Sequence, residues 1–255
     1  MKVTFLGTGT SQGIPIIGST HPVCLSEDPK DKRLRVSVLI EWDDFTYVID
    51  CGPDFRQQML AAQVRKIDGV LFTHEHADHT AGLDDIRPFF FRQGDIPIYA
   101  HERVLEQLKI RFNYIFAKEN RYPGAPAVKE IPVYNDHPFK LGDIHVVPVN
   151  LMHNHLQVFG FRFNRFAYLT DVKTVAREEM RKLKDLDVLV VNALRIEPHH
   201  SHFNLEEALD FVKQVQPKRA YFTHISHLLG FHEEVQKALP KGVFLAYDNL
   251  TIQIN

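Results

Sequence analysis

Thr73-His74-Glu75-His76-Ala77-Asp78-His79 follows the apolar run Val70-Leu71-Phe72. Three imidazoles and two carboxylates crowd into this stretch. Neutral imidazoles and carboxylates are the ligands that zinc, manganese and iron prefer. Clustering them gains nothing for an apolar core, so the stretch reads as metal-binding. A solvated, His-rich turn is the competing reading, and it leaves the particular spacing unexplained. The apolar run before it places the cluster at the end of a strand.

The pattern H-x-H-x-D-H, at the end of a strand and the start of a helix, resembles that of the metallo-β-lactamase superfamily of binuclear metallohydrolases. The resemblance implies that His74 and His76 hold one metal, and Asp78 and His79 the second. Glu75 and Ala77 are then spacers. It further implies a third His for the first metal, a bridging carboxylate, and a last His for the second metal. His153 follows the run 144–149, Asp171 follows 166–170 and His224 follows 220–223, in the implied order, each just past a strand-like stretch. His155 competes with His153, and the spacing to Gly160 in the family favours His153. Asp50, in Ile49-Asp50-Cys51-Gly52, corresponds to a carboxylate that supports metal-ligating residues from behind; a turn-capping Asp is the alternative.

Composition agrees with an enzyme of this kind. A chain of 255 residues, 44% hydrophobic, can bury a sizeable core as one domain spanning 1–255. A net charge of -2 advertises no broad basic field for a nucleic-acid or membrane partner. No apolar run approaches a membrane span, and the start Met1-Lys2-Val3-Thr4-Phe5-Leu6-Gly7 reads as a strand rather than a signal peptide. Two cysteines, Cys24 and Cys51, make no disulfide framework, so a reducing cytoplasm is the expected location.

β-Branched and aromatic content predicts strands near 2–7, 36–41, 45–50, 68–73, 144–149, 157–163, 166–170, 187–192, 219–223 and 243–247. A helix opens after Pro53 with Asp54 near its start. Val104, Leu105, Leu108, Phe112 and Ile115 share one face of a helix over 101–117. Asn204 caps a helix over 205–215, with Glu206 and Glu207 in its first turn. Residues 121–127 are a loop by their Pro and Gly content. The pattern alone says α/β with much antiparallel sheet; the resemblance implies a four-layer αββα sandwich.

Three further segments narrow the branch. Gly7-Thr8-Gly9-Thr10-Ser11-Gln12-Gly13-Ile14-Pro15 resembles the opening of the phosphodiesterase branch. That branch includes the phosphonate-pathway cyclic phosphodiesterases and the tRNA 3′-processing nucleases. His199-His200-Ser201-His202-Phe203-Asn204-Leu205 resembles the cyclic phosphodiesterase segment that carries an extra His, which makes His202 the general acid by resemblance. Thr223-His224-Ile225-Ser226-His227 resembles the C-terminal motif of the same proteins. Those proteins hold a separate structural zinc on three loop cysteines and the second His of this motif. Here the corresponding positions are Ser19, His21, Cys24 and His227. Serine is a poor zinc ligand, so two outcomes stay open: a third zinc with water in the fourth place, or a loop tied by ordinary hydrogen bonds.

The resemblance runs from Gly7 through Asp248 and shows neither the arm by which the tRNA nuclease grips its substrate nor an added nuclease domain. It implies a binuclear hydrolase with two divalent ions (Zn, Mn or Fe), a metal-bridging hydroxide as nucleophile and Asp171 as the bridge. The expected substrate is a small phosphodiester, with a cyclic ribose phosphate as one form. Arg87, Arg92 and Arg195 are candidate phosphate contacts, against the alternative of surface salt bridges. Relatives imply a homodimer. A thioester or lactone hydrolase of the same fold and a non-catalytic metal-binding relative are the competing functions; nucleic acid is a disfavoured substrate.

Overall fold

Fifteen strands and eight α-helices fill the computed structural model, which describes residues 1–254. The strands are β1 (Lys2–Gly7), β2 (Ser37–Trp42), β3 (Phe45–Ile49), β4 (Gly69–Leu71), β5 (Ile96–Ala100), β6 (Val128–Pro132), β7 (Phe139–Leu141) and β8 (Ile144–His153). They continue as β9 (Leu156–Phe163), β10 (Phe166–Leu169), β11 (Thr174–Val175), β12 (Val188–Asn192), β13 (Arg219–Thr223), β14 (Val243–Leu245) and β15 (Thr251–Gln253). The helices are α1 (Pro22–Leu25), α2 (Phe55–Ala61), α3 (Ala77–Thr80), α4 (Arg87–Gln93), α5 (Glu102–Arg111), α6 (Asn113–Phe116), α7 (Leu205–Val215) and α8 (His232–Ala238).

Two sheets result. One has the order β15-β1-β2-β3-β4-β5-β6; the other runs β11-β8-β9-β10-β12-β13-β14, with β7 on β8. Period-two alternation sends each strand's apolar residues to both faces. Val38, Ile40, Tyr47, Ile49 and Leu71 meet Phe159, Phe161, Phe163, Tyr168 and Val190 between the sheets. Leu39, Val48, Val70 and Phe72 pack outward against α2, α4 and α5 through Phe55, Phe89, Val104 and Leu108. Leu189, Val191, Ala220 and Phe222 pack outward against α7 through Ala208 and Phe211. Three apolar layers between four structural layers make the αββα sandwich, as expected from the sequence. Burial of strands on both faces explains why they read as near-continuous apolar runs.

The topology gathers strand ends. β3, β4 and β5 run parallel, as do β10, β12 and β13. Asp50 follows β3, the His-rich segment follows β4, His153 ends β8, Asp171 follows β10 and His224 follows β13. Open α/β sheets bind ligands at the carboxyl ends of their strands.

Several elements depart from the sequence reading. The helix expected over 101–117 breaks at Phe112 into α5 and α6, because Phe112 adopts φ -123° and ψ 41°. Asp54 makes no side-chain cap on α2; its carboxylate accepts from the Arg35 main-chain N–H at 2.8 Å and from Arg35 Nη1 at 3.1 Å instead. Strands β5, β6, β7, β11 and β15 and helix α8 carry too little periodic signal to stand out locally. Their pairing partners specify them. At α7 the expected Asn204 N-cap is present, and it is completed as a capping box in which Asn204 and Glu207 exchange hydrogen bonds. No helix among the described residues is long and apolar enough to cross a membrane.

A buried polar knot ties the Gly7–Gly9 turn to the end of the chain. Arg33 Nη1 donates to Thr8 Oγ1 at 2.7 Å and to the Ala246 carbonyl at 2.6 Å. Asp248 accepts from Thr8 Oγ1 at 2.8 Å and from the Leu34 N–H at 2.7 Å. Burial pushes the Asp248 carboxyl up to about 6 against the pull of these donors and of Arg33. Because that value lies above the unfolded one, the native state binds the proton more tightly. The associated stability is complete below about pH 4 and is lost as pH rises through about 6. It amounts to on the order of 2 kcal/mol once partial exposure is allowed for. Asp248→Asn should therefore flatten the pH dependence of unfolding free energy between about pH 4 and 6, measured by denaturant titration. An unchanged slope would show that Asp248 does not titrate in this range.

Candidate metal centre

The site is built from three left-handed turns. Asp50, Asp171 and His224 leave their strands with φ of 65°, 57° and 53°. Such backbone is uncommon outside glycine, and Asp and His are among the residues that tolerate it best. Each position costs about 1–3 kcal/mol and persists only when its surroundings hold it. At Asp50 the hold is the Thr73 N–H at 2.9 Å and the Thr73 hydroxyl. At Asp171 it is Asn192, whose Oδ1 accepts from the Val172 N–H at 2.7 Å while its Nδ2 donates to the Val172 carbonyl at 3.1 Å. At His224 it is the Gly7–Gly9 turn: Ile225 donates to the Thr8 carbonyl at 2.9 Å, and Thr10 donates to the Ile225 carbonyl at 3.1 Å. Gly52 is needed where the Asp78 main chain comes close, since a Cβ there would lie 2.1 Å from the Asp78 carbonyl oxygen.

Hydrogen bonds behind the imidazoles choose which ring nitrogen faces the site. His79 Nδ1 donates to Asp50 Oδ2 at 2.7 Å, leaving Nε2 free. His153 Nδ1 donates to the Ser201 carbonyl at 2.8 Å, again leaving Nε2 free. His74 Nδ1 donates to Thr73 Oγ1 at 2.9 Å, and the Thr73 hydroxyl donates on to Asp50. His74 Nε2 and His76 Nδ1 then stand 3.0 Å apart.

The free atoms converge. His79 Nε2 lies 3.3 Å from Asp78 Oδ2 and 3.2 Å from Asp171 Oδ2. His224 Nε2 lies 3.4 Å from Asp171 Oδ1 and 3.7 Å from Asp78 Oδ2. Two ligands at 2.0–2.1 Å from a tetrahedral zinc are about 3.3 Å apart, so these contacts have the length of coordination edges. The ring atoms His79 Nε2 and His224 Nε2 are buried with no hydrogen-bond partner. Buried polar atoms are rarely left so, and a cation would satisfy both. Three groups draw together: His74, His79 and Asp171; Asp78, His79 and His224; His153, Asp171 and His202. These residues fit divalent ions.

Charge makes the same point. The carboxylates of Asp50, Asp78 and Asp171 surround one imidazole. Burial alone would lower His79; Asp78, Asp171 and Asp50 outweigh it and hold the ring well above its ordinary value, so these carboxylates call for positive charge at this point, which a divalent ion would supply in place of the ring's second proton. Burial would raise Asp171, but His224 and His79, with a hydrogen bond from His202, hold it well below the carboxylate range. Burial, with His79 beside it, keeps His74 well below the imidazole range and so neutral, as a ligand must be.

Other sequence-predicted residues fall as follows. His153 is buried in the cluster, whereas His155 is exposed in the β8–β9 turn. Glu75 turns away to pair with Arg103 at 3.1 Å. His202 enters the cluster, its Nε2 2.9 Å from Asp171 Oδ1, and burial pushes its ring down to about 4 against the pull of Asp171. The three arginines spend their donors elsewhere. Arg87 pairs with Asp84 at 2.7 Å and donates to Tyr122, Arg92 donates to the Arg65 carbonyl, and Arg195 donates to the carbonyls of Glu197 and Pro198. None hydrogen-bonds the cluster, because each is held by acceptors outside it. In the N-terminal loop, His21 and His227 rings meet edge to face at 4.7 Å and Cys24 is buried beside Val23. His21 Nδ1 accepts from the Val23 N–H and Ser19 Oγ from the His21 N–H, while His227 Nδ1 is buried with no hydrogen-bond partner. Sequence reasoning missed Thr73, Asn192, Ser201 and Arg103. Only Asn192 carried a signal, a polar residue ending the run Val188-Leu189-Val190-Val191.

Paired sheets with a His/Asp cluster at their strand ends define the metallo-β-lactamase fold. The profile of the beta-lactamase superfamily domain matches residues 46–225. The chain belongs to that superfamily, on the branch near the PhnP and ribonuclease Z proteins. It is 39% identical to a protein whose crystal structure is described as a new diphosphatase from the PhnP family, with a TM-score of 0.93 and coverage of 100% of this chain and 98% of that one. It is 41% identical over 252 residues to a protein named octanoyltransferase from Porphyromonas gingivalis, covering 98% of this chain and 51% of that one. It is 26% identical over 171 residues to ribonuclease Z of an Exiguobacterium species, covering 64% of this chain and 49% of that one. The chain thus spans about half the length of these two curated relatives.

The Asn192 brace can be tested alone. Asn192→Ala leaves the Val172 N–H unpaired and should cost about 1–3 kcal/mol in a denaturant melt. Loosening Asp171 should also weaken metal binding by about 10–100-fold in a chelator competition. Unaltered metal affinity would show that Asn192 does not hold the Asp171 turn.

Proposed function

We propose that the protein hydrolyses a small phosphodiester with two divalent ions. His74, His76 and His153 would hold one ion, Asp78, His79 and His224 the other, with Asp171 shared. Bound there, such ions polarise phosphoryl oxygens and lower the pKa of a bound water. The observation that carries the reading is His202. It is buried beside Asp171, outside the proposed ligand set, with Nε2 directed at the carboxylate. A phosphodiester with an alkoxide leaving group needs a proton donor at that place, whereas an activated acyl group does not.

This chain's residues then divide the work. Asp171 presents its two oxygens to different rings, Oδ1 to His202 and His224, Oδ2 to His79. Thr170 donates to Oδ2 at 2.7 Å and steadies the carboxylate. His202 holds its proton on Nε2 and offers it to the departing oxygen. Its depressed pKa keeps the ring neutral, and a neutral imidazole can still donate to a developing oxyanion. The layered core behind the strand ends keeps water from the rear of the site.

A diphosphate is the second reading, favoured by the PhnP-family diphosphatase relative. Octanoyl transfer is named for a protein about twice as long, so it competes here as an acyl-thioester reading. A panel of bis-p-nitrophenyl phosphate, a 2′,3′-cyclic nucleotide, an organic diphosphate, an octanoyl thioester and a lactone separates them. Phosphoester turnover should vanish in Asp171→Ala. In His202→Ala it should fall about 10²–10⁴-fold for the cyclic nucleotide and far less for the p-nitrophenyl ester. Turnover of the thioester or lactone alone would overturn the reading.

A further inference from the structure

Strand β10 runs beside β9 only from Phe161 to Phe163. Before Phe161 that edge of β9 needs other partners, and the His-rich segment supplies one: the Phe159 N–H donates to the Thr73 carbonyl at 3.0 Å. Two residues back, the Gln157 carbonyl accepts from Arg103 Nη2. The same nitrogen donates to Glu75 Oε2 at 3.1 Å, and Arg103 Nε stands 3.1 Å from Glu75 Oε1. One guanidinium, carried in the first turn of α5, therefore holds a segment from each sheet. We propose that Arg103 is a positioning residue for the first ion, fixing the segment with His74 and His76 against the β8–β9 hairpin that carries His153. This rests on the ligand sets given above.

The two segments that Arg103 joins are those of the first ligand set. Glu75 lies between His74 and His76, and Arg103 draws its carboxylate aside. His76 is exposed on this segment, so its aim depends on how the main chain beneath it is held. Gln157 pairs across the hairpin with Met152, the residue before His153. A shift of either segment thus moves ligands of the first ion. The second set has braces of its own. Asp50 holds His79, the Cys51 N–H donates to the His79 carbonyl at 2.8 Å, and the Thr8 carbonyl holds Ile225 beside His224. Arg111 of α5 also donates to the Glu75 carbonyl and to Thr80 Oγ1. Both its acceptors belong to one segment, so it shapes that segment without tying it to His153. The planar fork of Arg103 suits a joint between a carboxylate and a carbonyl. Charge alone would have the reverse effect. A guanidinium repels a nearby cation, so its removal would tighten metal binding and free the Glu75 carboxylate to attract the ion. Positioning predicts a loss instead.

The test is stepwise chelator competition of the zinc-loaded full chain, with bound zinc counted by atomic emission and no substrate present. His153→Ala and His224→Ala assign the steps to the first and second ion. In Arg103→Ala the first step should weaken about 10–100-fold while the second keeps its native affinity. Glu75→Ala should weaken the same step. The double variant should lose no more than Arg103→Ala alone, since both substitutions remove one link. Arg103→Lys keeps a cation and serves if the alanine variant fails to fold; its compact ammonium should leave a smaller loss in the same step. An unchanged or tightened first step, equal weakening of both ions, or losses that add in the double variant would each overturn the inference and leave the ligand sets standing. Native affinity in Arg103→Lys would do the same, since charge would then suffice. A native chain that binds one ion, or whose steps do not answer to His153 and His224, would refute the proposed ligand sets and this inference with them.

Discussion

The buried carboxylate of Asp50 is the constraint on which the centre depends. It receives the Thr73 N–H, the Thr73 hydroxyl and His79 Nδ1, and is itself fully buried. Through Thr73 it reaches His74, and through His79 it reaches Asp78 and Asp171. One acceptor therefore sets the orientation of a ring from each of the two proposed ligand sets. A buried charge of this kind is costly unless it is paired and hydrogen-bonded. Burial pushes the Asp50 carboxyl up, and the contacts with His79 and Thr73 recover part of that cost.

The fold supplies the rest of the cost elsewhere. Left-handed backbone at Asp50, Asp171 and His224 is unfavourable locally, yet each follows a strand locked between apolar layers. Ile49, Leu169 and Phe222 are fully buried just before these turns or one residue further back. The strands cannot slip without moving their apolar side chains to the wrong face. Rigid strands thus deliver polar residues to one edge, where the main-chain braces at Val172, Ile225 and Thr73 finish the aim. Strain at the site and packing behind it are two parts of one arrangement.

Much of this was legible in the sequence because the key residues lie at the ends of strongly apolar runs. The His-rich segment after Val70-Leu71-Phe72 announced a metal centre, and the runs before Asp171 and His224 gave the remaining strand ends. Elements at the sheet edges, such as β6 and β15, were not legible, since they are short and take their structure from neighbours. The arginines looked suited to phosphate by residue type, but type carries no direction. Arg87 has Asp84 three residues away, and helical spacing brings the two together. The second layer of hydrogen bonds was equally hidden. Thr73 and Ser201 are ordinary residues in sequence, and only long-range contacts, such as Ser201 with His153, give them a role.

The central claim is that these strand ends form one site for two divalent ions sharing Asp171. Anomalous X-ray diffraction from crystals of the zinc-loaded protein tests it most directly. The account predicts two ions about 3.5–4 Å apart, a spacing usual for two-metal hydrolytic sites. One should lie among His74, His76 and His153, the other among Asp78, His79 and His224, with Asp171 between them. A single ion, or two ions that leave Asp171 free, would contradict it.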